Sequence, residues 1–203
     1  MGNKDWVGNN KSVYGTLGAT NHAVDKDRHT HDLYTTDPKA LEKLMAVYDL
    51  PKDIWEPSAG HGHLVKCLRD KGFNVVATDL YDYPEKFVEM DSGVDFFQCS
   101  KALAPNILTN PPYKLVTPYI VHALDILPSG GQLILLLKIQ ALEGKERFEK
   151  IYKNKNLKYV YVNTNRVCCY KNGDMSCNDS SAVCYGWFVF EKDFSGEPIV
   201  RWC

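Results

Sequence analysis

Asn110-Pro111-Pro112-Tyr113 joins an amide, two prolines and a phenol directly after a short apolar run, Ile107 to Thr109. Consecutive prolines end a strand and fix φ at each position, so the backbone leaving the run is stiff. A simple turn needs only one proline. The pair presents an amide side chain, a backbone carbonyl and an aromatic ring from one rigid loop. Asn110 Oδ1 and the Pro111 carbonyl can each accept a hydrogen bond from a planar amine, and Tyr113 can stack on the heterocycle that carries it.

Three upstream fragments suit a nucleotide-like ligand beside that loop. Glu56-Pro57-Ser58-Ala59-Gly60-His61-Gly62 lies between a strand and a helix, where glycines let the backbone come close to a ligand. It is neither G-x-G-x-x-G nor a P-loop, so a dinucleotide pyrophosphate site is unsupported. A glycine turn of this kind is by itself equally a structural device. Asp79 ends the apolar strand Val75 to Thr78, about 20 residues past the turn, the distance at which a carboxylate takes both ribose hydroxyls. Leu80 follows it. In Asp95-Phe96-Phe97 the carboxylate can accept from an adenine amino group while Phe96 packs on the ring; capping a strand end explains it equally well. His61 receives no chemical role.

The elements that must position these residues alternate. Asp37-Pro38 is a helix start, Asp as cap and Pro in the first turn, and Leu41, Leu44, Met45 and Tyr48 follow at amphipathic spacing. Strands are predicted at Asp53–Pro57, Asn74–Leu80, Ile107–Thr109, Gly131–Lys138, Lys158–Thr164 and Ala182–Glu191, with a brief one near Val94–Gln98. Helices are predicted at about 61–71, 114–127 and 144–153. Such alternation argues for a mostly parallel sheet covered on both faces. No helix fits between the last two strands, since 165–181 is polar, so they pair antiparallel at one edge. Residues 1–36 sustain no period and read as an irregular extension, and 37–203 as one domain.

With 203 residues, 44% hydrophobic and 24% charged, the chain is sized for a single core that needs no disulfide or metal. No apolar run approaches the ~20 residues that span a bilayer, and residues 1–20 hold no hydrophobic signal segment, so neither a membrane span nor secretion is expected. The seven cysteines are odd in number and are expected to be reduced in the cytoplasm. Cys168-Cys169, Cys177 and Cys184 lack the C-x2-4-C spacing of a zinc site, so no metal is expected and the thiols read as small buried hydrophobes. The net charge of −1 conceals an asymmetry. From Asp53 to Ser100 nine acids face four bases; from Lys138 to Lys171 nine bases face three glutamates. The basic stretch suits a phosphate-binding face, and equally a solvated helix with ordinary surface pairs.

The order E-P-x-x-G, T-D-L, D-F-F, N-P-P-Y resembles the class I S-adenosylmethionine-dependent methyltransferases that act on exocyclic amines, above all adenine-N6 DNA methyltransferases. Nearly the whole chain resembles a compact group encoded by phages and prophages. Shared features include SVYGTLGATNH (12–22), Tyr34-Thr35-Thr36-Asp37-Pro38, Leu142-Glu143-Gly144-Lys145, Asn165-Arg166, Lys171-Asn172-Gly173-Asp174 and the ending Gly196 to Trp202. The resemblance implies a Rossmann-like α/β fold, a seven-stranded mostly parallel sheet with an antiparallel edge strand, in a bacterial or phage-infected host cytoplasm. It implies S-adenosylmethionine as cofactor. Tyr34, Thr36 and Pro38 would close over its methionine end, Glu56, Ser58, Gly60 and Gly62 form its loop, Asp79 take the ribose, and Leu80, Asp95 and Phe96 flank the adenine. Asn110, Pro111, Pro112 and Tyr113 form the catalytic loop, working on a flipped-out base. Arg166, Lys171 and Lys138, with Asn21 and His22, are substrate-contact candidates on DNA. The chain has no length for a separate recognition region, so specificity falls to loops, is relaxed, or comes from a partner protein. N-P-P-Y also occurs in enzymes acting on release-factor glutamine and on guanine-N2 of RNA. RNA methylation at guanine-N2 or adenine-N6, protein glutamine methylation and a non-catalytic cofactor-binding subunit are the alternatives.

Overall fold

The computed structural model describes residues 34–154, 156–165, 167, 169–171 and 183–203, with the backbone alone at Tyr34, Thr35 and 169–171. Asn21, His22, Arg166, Cys168 and Cys177 lie outside the described residues, as does most of the polar loop before residue 183.

Helix α1 (Pro38–Met45) starts as the Asp-Pro pair predicts: the Asp37 side chain accepts from the Lys39 amide at 2.9 Å, and Pro38 stands in the first turn. Its stripe of Ala40, Leu41 and Leu44 is buried. The remaining α-helices among the described residues are α2 (His63–Asp70), α3 (Val116–Ile126) and α4 (Lys145–Lys150), each inside its predicted span.

Among the described residues the strands are β1 (Tyr34–Thr36), β2 (Asp53–Glu56), β3 (Asn74–Asp79), β4 (Asp91–Ser92), β5 (Asn106–Thr109), β6 (Gln132–Lys138), β7 (Leu157–Val162), β8 (Cys169–Lys171), β9 (Tyr185–Glu191) and β10 (Ile199–Trp202). Eight of them form one sheet in the order β10-β7-β9-β6-β5-β2-β3-β4. All run parallel except β9, which is antiparallel to β6 and β7. The sheet therefore has one strand more than the seven expected. The antiparallel strand is third from the edge, because β10 pairs with β7 and becomes the edge itself. β10 is four residues long and exposed throughout, so it carries no burial alternation that a sequence would display.

Two further corrections are local. The strand predicted near Val94–Gln98 is a 3-10 turn at Phe96–Gln98, and β4 precedes it. The Asp95 carboxylate accepts from the Phe97 amide at 2.9 Å, so the cap satisfies a backbone donor that a strand would have paired. The last three residues of the segment read as irregular form β1, which pairs antiparallel with β8 in a small separate sheet.

Central strand β6 shows why the sheet holds. Leu133 to Leu137 have no exposed surface. Leu133, Leu135 and Leu137 join the cluster under α3, while Ile134 and Leu136 join the one under α1 and α2. A strand's side chains alternate between faces, so a continuous apolar run is what a sheet covered on both sides demands. β9 repeats the division with Phe188 and Phe190 on one face and Trp187 and Val189 on the other. Trp187 Nε1 also donates to the Ala40 carbonyl at 3.0 Å, anchoring α1 to the sheet. Parallel strands aim their carboxyl ends at one rim, where β2, β3, β5 and β6 deliver Glu56, Asp79, Asn110 and Lys138.

Candidate active site

A cavity of about 340 Å³ opens at this rim, within the size range of small-ligand sites. Its walls include Thr36, Glu56, Ser58, Gly60, Asp79 and Leu80 from the cofactor set, together with Asp95, Phe96, Asn110 and Pro112.

The glycine turn is tied to β3 by two bonds. Asp79 Oδ2 accepts from the Gly60 amide at 2.8 Å, and the Ala59 amide donates to the Thr78 carbonyl at 3.1 Å. Asp79 Oδ1 accepts from the Tyr81 amide at 2.9 Å, so this acid also locks the two loops that frame the cavity. Gly62 does not line the cavity; it starts α2 with φ 95°, and a side chain there would run into Val88. The segment after β3 packs over the turn from behind, which only glycine permits.

Glu56 is the strongest chemical signal. It is 1% exposed, and burial pushes its carboxyl from 4.5 up to about 8, with the nearby Thr109 hydroxyl and the Ser58 amide opposing the rise and the charge of Asp79 adding to it. Glu56 Oε1 accepts from that amide at 3.1 Å. Oε2 has no hydrogen-bond partner among the described residues, nor does Thr36 Oγ1, and both residues line the cavity. Thr109 Oγ1 lies near Glu56 without hydrogen-bonding geometry. Buried polar atoms are rarely left without partners, so two on one cavity wall mark a place for a polar ligand.

Several wall residues carry no signal in the sequence. Tyr119 is buried and its hydroxyl pairs with Ser58 Oγ at 3.0 Å; burial raises its phenol well above the ordinary value. His61, His63, Tyr81 and Tyr83 also line the cavity, with Tyr83 edge-on to His61 and burial lowering the basicity of His63. Only the proximity of His61 and His63 to the glycine turn in sequence could have suggested them. Tyr119 sits mid-helix, 61 residues from the serine it meets.

The structure distributes the N-P-P-Y loop over two surfaces. Asn110 and Pro112 face the cavity, Pro111 is buried, and Tyr113 lies to one side of it. The Tyr113 ring stands 6.1 Å from that of Tyr185, and Lys138 Nζ lies over it at 5.4 Å from the centroid. Phe96, expected to meet an adenine, lines the cavity; it is 5% exposed and stacked on Tyr119 with centroids 4.0 Å apart. Lys171 enters only as backbone in β8. Among the described residues, no group of three His, Cys, Asp or Glu could hold a metal ion, and no helix is long and apolar enough to cross a membrane.

No protein-family model matches this sequence, and no curated protein matches it. Solved structures do. A candidate class I S-adenosylmethionine-dependent methyltransferase from Listeria monocytogenes gives a TM-score of 0.56 at 13% identity, over 95% of this chain and 70% of that one. The fold is that of the class I methyltransferases. A candidate hemolysin from Lactococcus lactis superposes with a TM-score of 0.56 at 14% identity, over 82% of this chain and 91% of the other. The M protein of the type I restriction enzyme EcoKI gives 0.51 at 13% identity, over 84% of this chain and 45% of that one. Open α/β sheets take ligands outside the carboxyl ends of their parallel strands, where the cavity lies.

Proposed function

We propose that this chain transfers a methyl group from S-adenosylmethionine to the exocyclic N6 amine of adenine in DNA. One observation carries the reading: Asn110, at the head of a proline-stiffened loop, shares a cavity with Glu56 and Asp79 in a class I methyltransferase fold. The cavity's own atoms fit such a cofactor. An ammonium group would give Glu56 Oε2 the partner it lacks and draw off its proton. Thr36 Oγ1 offers a second polar contact, and Leu80 an apolar face for a purine.

When bound, S-adenosylmethionine supplies a methyl group on a positively charged sulfur. Asn110 Oδ1 and the Pro111 carbonyl accept the two N–H bonds of the target amine. That arrangement favours a pyramidal nitrogen and withdraws its lone pair from the ring. Pro111 and Pro112 hold the acceptors still, and orientation of this kind contributes up to about 7–11 kcal/mol in well-aligned systems. Asparagine takes no proton, so the amine proton leaves to water after transfer. No covalent protein intermediate is needed, and the cysteines have no part in the step. The adenine must leave its duplex, at a cost of a few kcal/mol.

DNA is favoured over other substrates by two features: the M protein of a restriction enzyme among the similar structures, and the basic composition of the stretch from Lys138 to Lys171. A partner protein supplies sequence specificity, or target choice is broad. Incubating the purified chain with labelled S-adenosylmethionine and DNA, RNA or protein tests the proposal. N6-methyladenine in the DNA digest is the expected product. Label in guanine or glutamine, or cofactor binding without transfer, overturns it.

A further inference from the structure

We infer that Lys138 is a substrate-positioning residue that exchanges partners: its ammonium caps the Tyr113 ring in the free protein and moves to a DNA phosphate when the flipped base takes that ring. The inference rests on the DNA-adenine reading above and deepens it. Lys138 is the last residue of β6, which runs parallel to β5, with Leu135 opposite Thr109. The N-P-P-Y loop leaves β5 one residue later, so the lysine stands next to it on the same rim. On its other flank Lys138 pairs with Tyr185, the first residue of β9 and the ring neighbour of Tyr113.

Lys66, Lys86, Lys150, Lys153 and Lys158 each meet a carboxylate. Lys138 is half-buried, and among the described residues its recorded contact is the face of Tyr113, 5.4 Å away, with no carboxylate partner. Exposed Lys52 also lies over a ring, that of Phe73, at 4.5 Å. A lysine–aromatic contact is weaker than a charge-assisted bond to phosphate, so the ammonium gains by the exchange. A base stacking on Tyr113 needs a ring face and displaces the ammonium from it. Four carbons separate that group from the backbone, so it can swing away while β6 stays fixed. Expulsion by the base and capture by the phosphate are thus one event, and Lys138 checks that a nucleotide, not merely an aromatic ring, has entered.

Steady-state methylation of duplex DNA by the full chain, between 50 and 200 mM salt, tests this with the wild type, Lys138→Ala and Lys138→Arg. Lys138→Ala is expected to raise KM for DNA about tenfold and to reduce the log–log salt slope by about one, as for loss of a single phosphate contact. Affinity for S-adenosylhomocysteine should stay within about twofold, and arginine should restore KM and slope. Lys138→Met keeps the apolar stem and gives the same readout should the alanine variant unfold. Wild-type DNA methylation with an unchanged slope and KM in the variants overturns the exchange while leaving the DNA reading intact. A wild type that methylates no DNA removes both.

Discussion

Glu56→Gln should make this protein more stable and less able to bind its cofactor, and the stability gain should grow with pH. The Glu56 carboxyl lies at about 8 in the folded chain against 4.5 ordinarily, because burial disfavours its charged form. The unfolded chain therefore gives up the proton near pH 4.5, whereas the folded chain retains it to about 8. Stability from this group is complete below about pH 4.5, falls as pH rises through the interval, and levels off above about 8. At about 1.4 kcal/mol per pH unit, the loss is about 1.4 kcal/mol at pH 5.5 and about 4 kcal/mol at pH 7.5. Glutamine has nearly the same shape, retains an oxygen for the Ser58 amide, and does not titrate. The advantage of the variant should widen by about 2–3 kcal/mol between those pH values, or roughly 5–10 °C in Tm for a chain of this length. Using the difference between the two proteins removes the titration of every other group. Urea unfolding at both pH values measures it. A gap that stays constant with pH, or narrows, refutes the claim that the carboxyl is buried and protonated. Calorimetry adds a second check: the wild type should release close to one proton on binding S-adenosylhomocysteine near pH 7, and Glu56→Gln none.

Asn110→Ala should lower kcat at least about 100-fold, on the scale of losing one aligned catalytic hydrogen bond, while the Kd for S-adenosylhomocysteine changes little; transfer assays and equilibrium dialysis measure the two effects. Gly62→Ala places a Cβ at φ 95° against Val88, and should cost about 1–3 kcal/mol in denaturant unfolding and weaken cofactor binding by displacing the glycine turn. Trp187→Ala empties a site with no exposed surface and removes the side-chain bond to the Ala40 carbonyl, so thermal or urea melts should show a loss of about 3–5 kcal/mol.

Much of this architecture was written in the chain itself. The apolar run of β6 required a two-faced sheet, Asp37-Pro38 set the start of α1, and the glycine turn and the N-P-P-Y loop each follow a recognisable strand. Signals of that kind are local: periodicity, caps and prolines act within a few residues of one another, and a reader of the sequence meets the same residues the backbone does. Tertiary structure decided what depends on distance. It inserted β9 between β6 and β7 and added exposed β10 outside them, since edge pairing uses backbone groups that leave no pattern in side-chain types. It brought Tyr119 to Ser58 and stacked Phe96 on Tyr119 at the cavity wall. It buried Glu56 until its carboxyl held a proton near neutral pH, a property of the surroundings and not of glutamate. Lys138 met Tyr113, 25 residues earlier in the chain, because the parallel strands β5 and β6 finish at one rim; the composition of either segment alone says nothing of the other.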